Sequence, residues 1–164
     1  MLDPTEGNPH LDEAIALGRE IYRVFEAGQD YSTSLRRLGS IAAHPIHVHA
    51  VRAAFGSVRP ETFARRQLVA WDQLPTDITE EEMLEMIERI FKPRGYELEI
   101  EYWIQCLRVN TGDEHVSDLI FWPGAYFRDG NNARQMSPSE ILATALEAGK
   151  SARACGTPNP PPGS

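Results

Sequence analysis

Three histidines lie close together in the first half of the chain, at positions 44, 47 and 49. Imidazole nitrogens are common zinc ligands, so histidines at this spacing raise the question of a metal site. In a helix His44 and His47 would share a face, but His49 would point elsewhere, and no carboxylate lies within the same turn. Histidines near a helix start are more typical of solvated or capping side chains. We therefore predict no metal site and no cofactor.

The sequence patterns of common catalytic sites are missing as well. There is no glycine-rich phosphate loop, no nucleophile elbow and no Cys-x-x-Cys pair. The two cysteines, Cys106 and Cys155, are far apart, and Cys106 falls in an apolar helical pattern that predicts a buried thiol. The sequence predicts that the protein is not an enzyme.

The residues best suited to recognition lie at positions 117–123, in the order Ser-Asp-Leu-Ile-Phe-Trp-Pro. Asp118 precedes two adjacent large aromatics, Phe121 and Trp122, by three and four residues. Because Pro123 ends any helix and restricts the residue before it, the two rings cannot both point inward on this short turn. At least one ring is expected to face solvent, where a large aromatic typically anchors a partner. The other interpretation, in which both rings fill a small core, stays open on composition alone.

The composition describes a soluble, acidic protein. The 164 residues are 41% hydrophobic and 24% charged, which suits one or two small domains. No apolar stretch reaches membrane-spanning length, and the acidic start of the chain is unlike a signal peptide. These features predict a cytoplasmic protein.

Charge is distributed unevenly along the chain. Residues 1–71 hold 8 Asp+Glu and 8 Lys+Arg, whereas residues 72–164 hold 16 and 8. The whole net charge of −8 therefore lies in the second half. Such a surface repels nucleic acid and attracts basic partners, although solubility alone also accounts for it.

Apolar residues spaced three and four apart predict four helices in the first half of the chain. The predicted first residues of these helices are Leu11, about Ser32, Pro45 and Pro60. Gly28 suits the end of the first helix and Gly56 the end of the third, and the fourth is expected to carry Trp71. Strand alternation is absent.

The second half predicts four more helical segments. Thr79 and Glu82 form a capping box at the first of them, and Ser137-Pro138-Ser139-Glu140 forms another at the last. Between these lie an acidic helix over about residues 97–110 and the short turn at 117–123. A polar loop rich in Gly and Asn follows that turn.

This order of parts resembles that of the colicin and pyocin DNase immunity proteins, small acidic four-helix proteins of bacteria, over about residues 77–153. In that family the short third helix carries Ser-Asp-Leu-Ile-Tyr-Tyr-Pro, which residues 117–123 match at five positions. The resemblance implies an all-α fold. It consists of a four-helix immunity-protein-like bundle with a short third helix, preceded by a helical N-terminal extension.

The resemblance also implies a function. Immunity proteins bind the HNH-type nuclease domain of a bacteriocin at an exosite beside the active site, and they exclude nucleic acid while leaving the catalytic metal untouched. The partner implied here is the cognate HNH-type nuclease domain of a bacterial toxin or effector, met in the bacterial cytoplasm. Direct nucleic-acid binding and membrane association are not implied, and the free protein is expected to be a monomer or weak homodimer.

The implied binding residues fall on two helices. On the short helix, the positions that match the family's anchors are Ser117, Asp118, Phe121, Trp122 and Pro123. On the acidic second helix, which sets partner choice in the family, the matching outward positions are Glu97, Ile100, Glu101, Ile104, Gln105 and Arg108. For Ile104, a place in the core is an equally open interpretation.

Three departures from the family pattern stand out. Phe121 and Trp122 replace two tyrosines, so the tyrosine hydroxyls are lost, and the Trp122 indole N–H is available as a replacement donor. Arg108 places a cation where an acidic residue is common, which indicates a different cognate toxin. The loop at 124–136 is longer than usual, and Tyr126 and Phe127 within it either extend the aromatic anchor or fold back onto the core.

These inferences define three segments and leave an alternative function open. Residues 1–74 form a helical N-terminal region of unknown role, residues 75–155 the immunity-like domain, and residues 156–164 a Pro-rich tail predicted to be disordered. The alternative to an immunity protein is a helical adaptor or regulator that uses the same aromatic turn to bind another protein.

Overall fold

The computed structural model describes residues 3–92 and 97–155 of the chain. These residues form nine α-helices and no β-strand, which confirms the all-α prediction. They divide into two compact units, the first made of residues up to 72 with 97–99, the second of residues 73–92 and those from 100 onward. No helix in the described part of the chain is long and apolar enough to span a bilayer. The Pro-rich tail at 156–164 lies outside the described residues.

The first unit is built on α1, which contacts both α2 and α4. Its helices are α1 (Leu11–Glu26), α2 (Ser32–Ile41), α3 (Val48–Ala54) and α4 (Pro60–Gln67). Its buried apolar core consists of Ala14, Leu17, Ile21, Leu35, Leu38, Val51, Phe63 and Ala64. The crossing of α1 and α4 is tight at Gly18, where a Cβ atom would lie 2.6 Å from the Pro60 carbonyl oxygen.

The third helix begins later than predicted. It starts at Val48 instead of Pro45, and His47 occupies the N-cap position with extended backbone angles. The cause is the end of α2, where Ala43 adopts a left-handed φ of 58° and the His44 N–H donates to the Gly39 carbonyl at 3.2 Å. This Schellman-type turn uses the residues that the prediction assigned to the helix.

The predicted ends of two helices also shift. The third helix ends at Ala54, two residues before Gly56, with Phe55 as its C-cap. The fourth ends at Gln67, so Trp71 lies beyond it, and the Trp71 indole N–H donates to the Arg66 carbonyl at 3.0 Å. A single glycine or proline in the sequence predicts the end of a helix only to within one or two residues.

The second unit contains the remaining helices. They are α5 (Glu80–Phe91), α6 (Glu97–Thr111, whose first turn belongs to the first unit), α7 (Val116–Phe121), α8 (Pro123–Tyr126) and α9 (Pro138–Cys155). Within this unit α9 contacts α5 and α7, and α7 contacts α8. Its buried side chains include Met83, Met86, Ile87, Ile90, Trp103, Cys106, Leu107, Ile141, Leu142 and Ala145. The buried Cys106 thiol is as predicted.

Both predicted capping boxes are present. The Glu82 N–H donates to Thr79 Oγ1 at 3.3 Å, and the Thr79 N–H donates back to the Glu82 carboxylate at 2.9 Å. At the start of α9 the Glu140 N–H donates to Ser137 Oγ, and the Ser137 N–H returns the bond at 2.8 Å. These backbone donors lower the pKa of both glutamates.

Candidate functional site

The short helix α7 is amphipathic over a single turn and a half. Val116, Leu119 and Ile120 are buried, which is the three-and-four spacing of one helical face. The opposite positions, Ser117, Asp118, Phe121 and Trp122, are partly or largely exposed. We call these four residues the α7 edge.

The aromatic pair on this edge faces solvent, as predicted for at least one ring. Phe121 is 45% exposed and Trp122 is 60% exposed. Trp122 adopts φ −138° and ψ 57°, outside the helical region, because the following proline disfavours a helical conformation there. Pro123 itself is buried at the start of α8, so its contribution to the edge is to fix the backbone beneath the two rings.

A buried carboxylate holds the segment that carries the α7 edge. Asp113 is 5% exposed and accepts the His115 N–H at 2.9 Å through Oδ1. Its Oδ2 accepts the Tyr126 hydroxyl at 2.9 Å, which ties the start of α7 to the end of α8. Burial and this bond to Asp113 raise the pKa of Tyr126 well above its ordinary value.

Sequence reasoning missed the role of Asp113. The local signal was an Asp three residues before the start of α7 and directly after Gly112, the residue that follows α6, which is typical of an Asx turn. The bond from Tyr126 had no such signal, because it depends on the chain folding back after α7. Tyr126 therefore folds back onto the second unit, which decides one of the two alternatives for that residue.

The loop after α8 is closely packed. The N–H groups of Asp129 and Gly130 both donate to the Gly124 carbonyl at 3.1 Å, and a Cβ on Gly124 would lie 2.6 Å from Gly130. Phe127 is 37% exposed, with the Arg134 guanidinium 4.3 Å from its ring centre. Phe127, the C-cap of α8, is therefore a further exposed aromatic residue five positions after Trp122.

The predicted recognition positions on α6 are exposed to different degrees. Glu97 is exposed and belongs to the first unit, whereas the other five belong to the second. These five are half-buried: Ile100, Glu101, Ile104, Gln105 and Arg108. Ile104 is therefore neither fully core nor fully exposed.

A chain of polar contacts leads from α6 to the α7 edge. The Arg108 guanidinium donates to Gln105 Oε1 at 3.0 Å and to the Glu114 carboxylate. His115 Nδ1 lies 3.6 Å from Asp118 Oδ2. Arg108 is thus placed at the N-terminal end of α7, and Ile104 lies about 6 Å further along the α6 axis at 1.5 Å per residue.

Of the three histidines near position 44, only His44 makes a side-chain contact with the backbone among the described residues, and His47 and His49 are exposed. His44 Nε2 lies 3.0 Å from the Gln67 carbonyl oxygen, His47 is the N-cap of α3, and His49 lies in that helix. Among the described residues, no three His, Cys, Asp or Glu side chains are grouped so that they could hold a metal ion.

The candidate site therefore consists of an exposed aromatic pair and a carboxylate on the short helix α7, together with the half-buried positions on α6. A comparison with protein families places this arrangement in context: the model described as colicin immunity protein / pyocin immunity protein matches residues 76–148. This segment is a colicin/pyocin immunity domain. The match covers less than half of the chain. Searches of the curated proteins and of the solved structures gave no significant match.

The family identity has consequences for the immunity domain. Members of this family are inhibitors and not enzymes, and membership implies inhibition of a nuclease bacteriocin. The matched segment contains the whole α7 edge and α6. The resemblance drawn from residues 117–123 is thereby confirmed.

Proposed function

We propose that the immunity domain binds the HNH-type nuclease domain of a bacterial toxin through α6 and the α7 edge. Binding at an exosite blocks access of nucleic acid to the nuclease and leaves its catalytic metal in place. The observation that carries this proposal is the exposed pair Phe121 and Trp122, held beside Asp118 inside the segment that matches the family.

The aromatic pair has the physical properties of a binding anchor. Large rings bury much apolar area on binding, and each has only two side-chain torsions to immobilise. The backbone beneath them is already fixed by buried Pro123 and by the bond from Tyr126 to Asp113. Little additional ordering is therefore needed when a partner binds.

Charge supports a basic partner. Residues 72–164 hold twice as many acidic as basic residues, 16 against 8. A nuclease surface that binds nucleic acid is rich in Lys and Arg, so it is attracted by this half of the chain. The same charge repels nucleic acid, and we accordingly propose no direct nucleic-acid binding.

The half-buried α6 positions are proposed to set partner choice. Ile100 and Ile104 offer apolar surface rimmed by Glu101 and Gln105, a pattern typical of an interface patch. Arg108 is held by Gln105 and Glu114, and its positive charge favours a toxin that places an acceptor or an acidic residue beside it. A toxin lacking such a group would be disfavoured.

The proposal extends to the whole chain. In this proposal the protein acts in the bacterial cytoplasm as a stoichiometric inhibitor of the toxin, and the free protein is a monomer or weak homodimer. Residues 75–155 act as the inhibitory domain, and residues 1–74 have a separate role.

A titration tests the proposal directly. The full chain is added to the HNH nuclease encoded beside its gene while plasmid cleavage is followed. We expect cleavage to cease at one equivalent. An exosite mechanism further requires that the inhibited nuclease retain its metal, which is checked by metal analysis of the purified complex.

Full cleavage, with no complex by gel filtration, would contradict the immunity function for this pair. An adaptor that uses the α7 edge for another protein would then account for the exposed rings. Inhibition accompanied by loss of metal would keep the function but reject the exosite mechanism.

A further inference from the structure

The middle of the first unit is basic although the chain as a whole is acidic. Residues 31–60 contain four arginines and three histidines and no Asp or Glu, in a chain whose net charge is −8. All 8 carboxylates of residues 1–71 therefore lie outside this segment. The segment includes α2, the turn after it and α3.

A groove runs along this basic segment. It has a volume of about 540 Å³ and is lined by α2 and by the turn leading to α3. Its apolar lining is aliphatic, with Leu35, Ile46 and Val48, and Val48 is 41% exposed. Arg36 and His44 supply its basic side chains, and both are exposed.

The walls of the groove are fixed in place. A Cβ on Gly39 would lie 2.9 Å from the His44 carbonyl oxygen, so the turn lies directly against α2. The His44 ring contacts the Gln67 carbonyl at 3.0 Å, which ties the same turn to the end of α4. A preformed groove loses little conformational entropy on binding.

Arg36 at the groove forms no close ion pair within the described part of the chain, although its charge interacts with the Asp30 carboxylate two residues before α2. Arg37, the next residue on α2, pairs with Glu13 at 2.5 Å. An exposed guanidinium beside aliphatic surface fits a ligand that carries both a carboxylate and an apolar side chain.

We propose that this groove binds an acidic peptide segment of a protein partner. An aliphatic side chain of the segment packs against Ile46 and Val48, and a carboxylate pairs with Arg36. Nucleic acid fits less well, because no Phe, Tyr or Trp among the described residues lines the groove for base stacking and the net charge of −8 repels a polyanion. The proposal does not depend on the immunity function, since the groove belongs to the first unit and its acidic ligand has the opposite charge to the basic partner proposed for the α7 edge.

Fluorescence anisotropy with the full chain tests the proposal. The probes are short fluorescein-labelled peptides in which glutamates flank one leucine, isoleucine or valine. Matched probes replace the glutamates by lysine or the aliphatic residue by serine, and a single-stranded DNA of equal length is the nucleic-acid probe. We expect binding only by acidic peptides with an aliphatic residue, weakened by added salt.

Variants locate the binding site. Arg36→Glu is expected to weaken peptide binding about fivefold or more, because it replaces an attraction by a repulsion. Val48→Ser is expected to weaken it without changing the salt dependence. The matched control is Arg23→Glu, which makes the same charge change at an exposed position on α1 outside the groove. We expect it to weaken peptide binding less than Arg36→Glu does.

Three results would overturn the proposal. The first is that none of the acidic peptides binds, and the second is that Arg23→Glu weakens binding as much as Arg36→Glu. The third is that DNA binds more tightly than every peptide, which would assign the groove to nucleic acid. Circular dichroism confirms that each variant is folded.

Discussion

Trp122 is the most exposed large hydrophobic side chain identified in the described part of the chain, at 60%. It is the C-cap of α7 and lies two residues after the buried Ile120. An exposed tryptophan costs solvation free energy in the free protein, which a partner surface recovers on binding. The conformation that exposes it is imposed locally by Pro123.

Removing the Trp122 ring is expected to separate binding from stability. Trp122→Ala should weaken the complex with the cognate nuclease by about 2–4 kcal/mol, as for a central aromatic anchor, and leave the thermal midpoint almost unchanged. Titration calorimetry and thermal unfolding measure the two quantities. The matched control is Phe91→Ala, which removes a 46% exposed ring from the end of α5. Unfolding by Trp122→Ala, or equal loss of affinity in both variants, would reject the anchor assignment.

The hydroxyl of Tyr126 is expected to stabilise the second unit. Tyr126→Phe leaves the buried Asp113 carboxylate without the 2.9 Å donor to its Oδ2 in a partly buried site, which should cost about 1–2 kcal/mol of unfolding free energy. Urea unfolding measures the loss. Tyr22→Phe serves as the control, because the hydrogen bond that it removes, to Glu26, is exposed to solvent. Equal costs in the two variants would contradict a special role for the buried pair.

The hydrogen bond between Tyr126 and Asp113 also makes the unfolding free energy depend on pH. Burial and the bond to Asp113 raise the pKa of Tyr126 above its ordinary value of 10.0. A raised pKa means that the neutral phenol is favoured in the folded state, so its contribution is complete below about pH 9 and is lost as the pH rises above about 10. The difference in unfolding free energy between the wild type and Tyr126→Phe should therefore shrink only in the alkaline range.

At the scale of the helices, the features that the sequence predicts best are those determined by hydrogen bonds between residues close in sequence. The capping boxes at Thr79 and Ser137 form within four residues, and both are present. The predicted start of the third helix at Pro45 was wrong, because Ala43 takes a left-handed conformation that glycine normally occupies. The contact of Tyr126 with Asp113 joins residues 13 positions apart, so no local pattern indicates it.

The close approach of α6 and α9 depends on one glycine. A Cβ at Gly149 would overlap the Thr111 carbonyl oxygen, and Arg153 donates to that same oxygen at 3.1 Å. Because the contact is with backbone, rotation of a side chain cannot relieve it.

Gly149→Ala is therefore expected to destabilise the immunity domain by about 2–3 kcal/mol or more. The thermal midpoint should fall, and binding to the nuclease should weaken because Thr111 precedes the segment that carries α7. Gly56→Ala is the control, since no atom lies within 4 Å of its added Cβ. A Gly149→Ala protein as stable as the wild type would contradict the close approach of the two backbones at this glycine.

For the whole molecule, charge separates along the chain. Residues 1–71 are balanced, with four of their eight arginines and none of their carboxylates at 31–60, whereas residues 72–164 hold the entire net charge of −8. The sequence alone establishes this distribution. It does not establish which carboxylates act on a partner, because that depends on their exposure in the folded protein.

Long-range attraction should govern how fast the nuclease associates. Reversal of the exposed Glu97 to lysine is expected to slow association several-fold at low ionic strength, because steering acts before contact, and to matter little at high salt. Stopped-flow fluorescence over a range of salt concentrations measures this. Asp12→Lys on α1 is the control with an equal change in net charge in the neutral half of the chain. If both reversals slow association equally, only the total charge matters. An association rate unaffected by either reversal or by salt would contradict electrostatic recognition of the toxin.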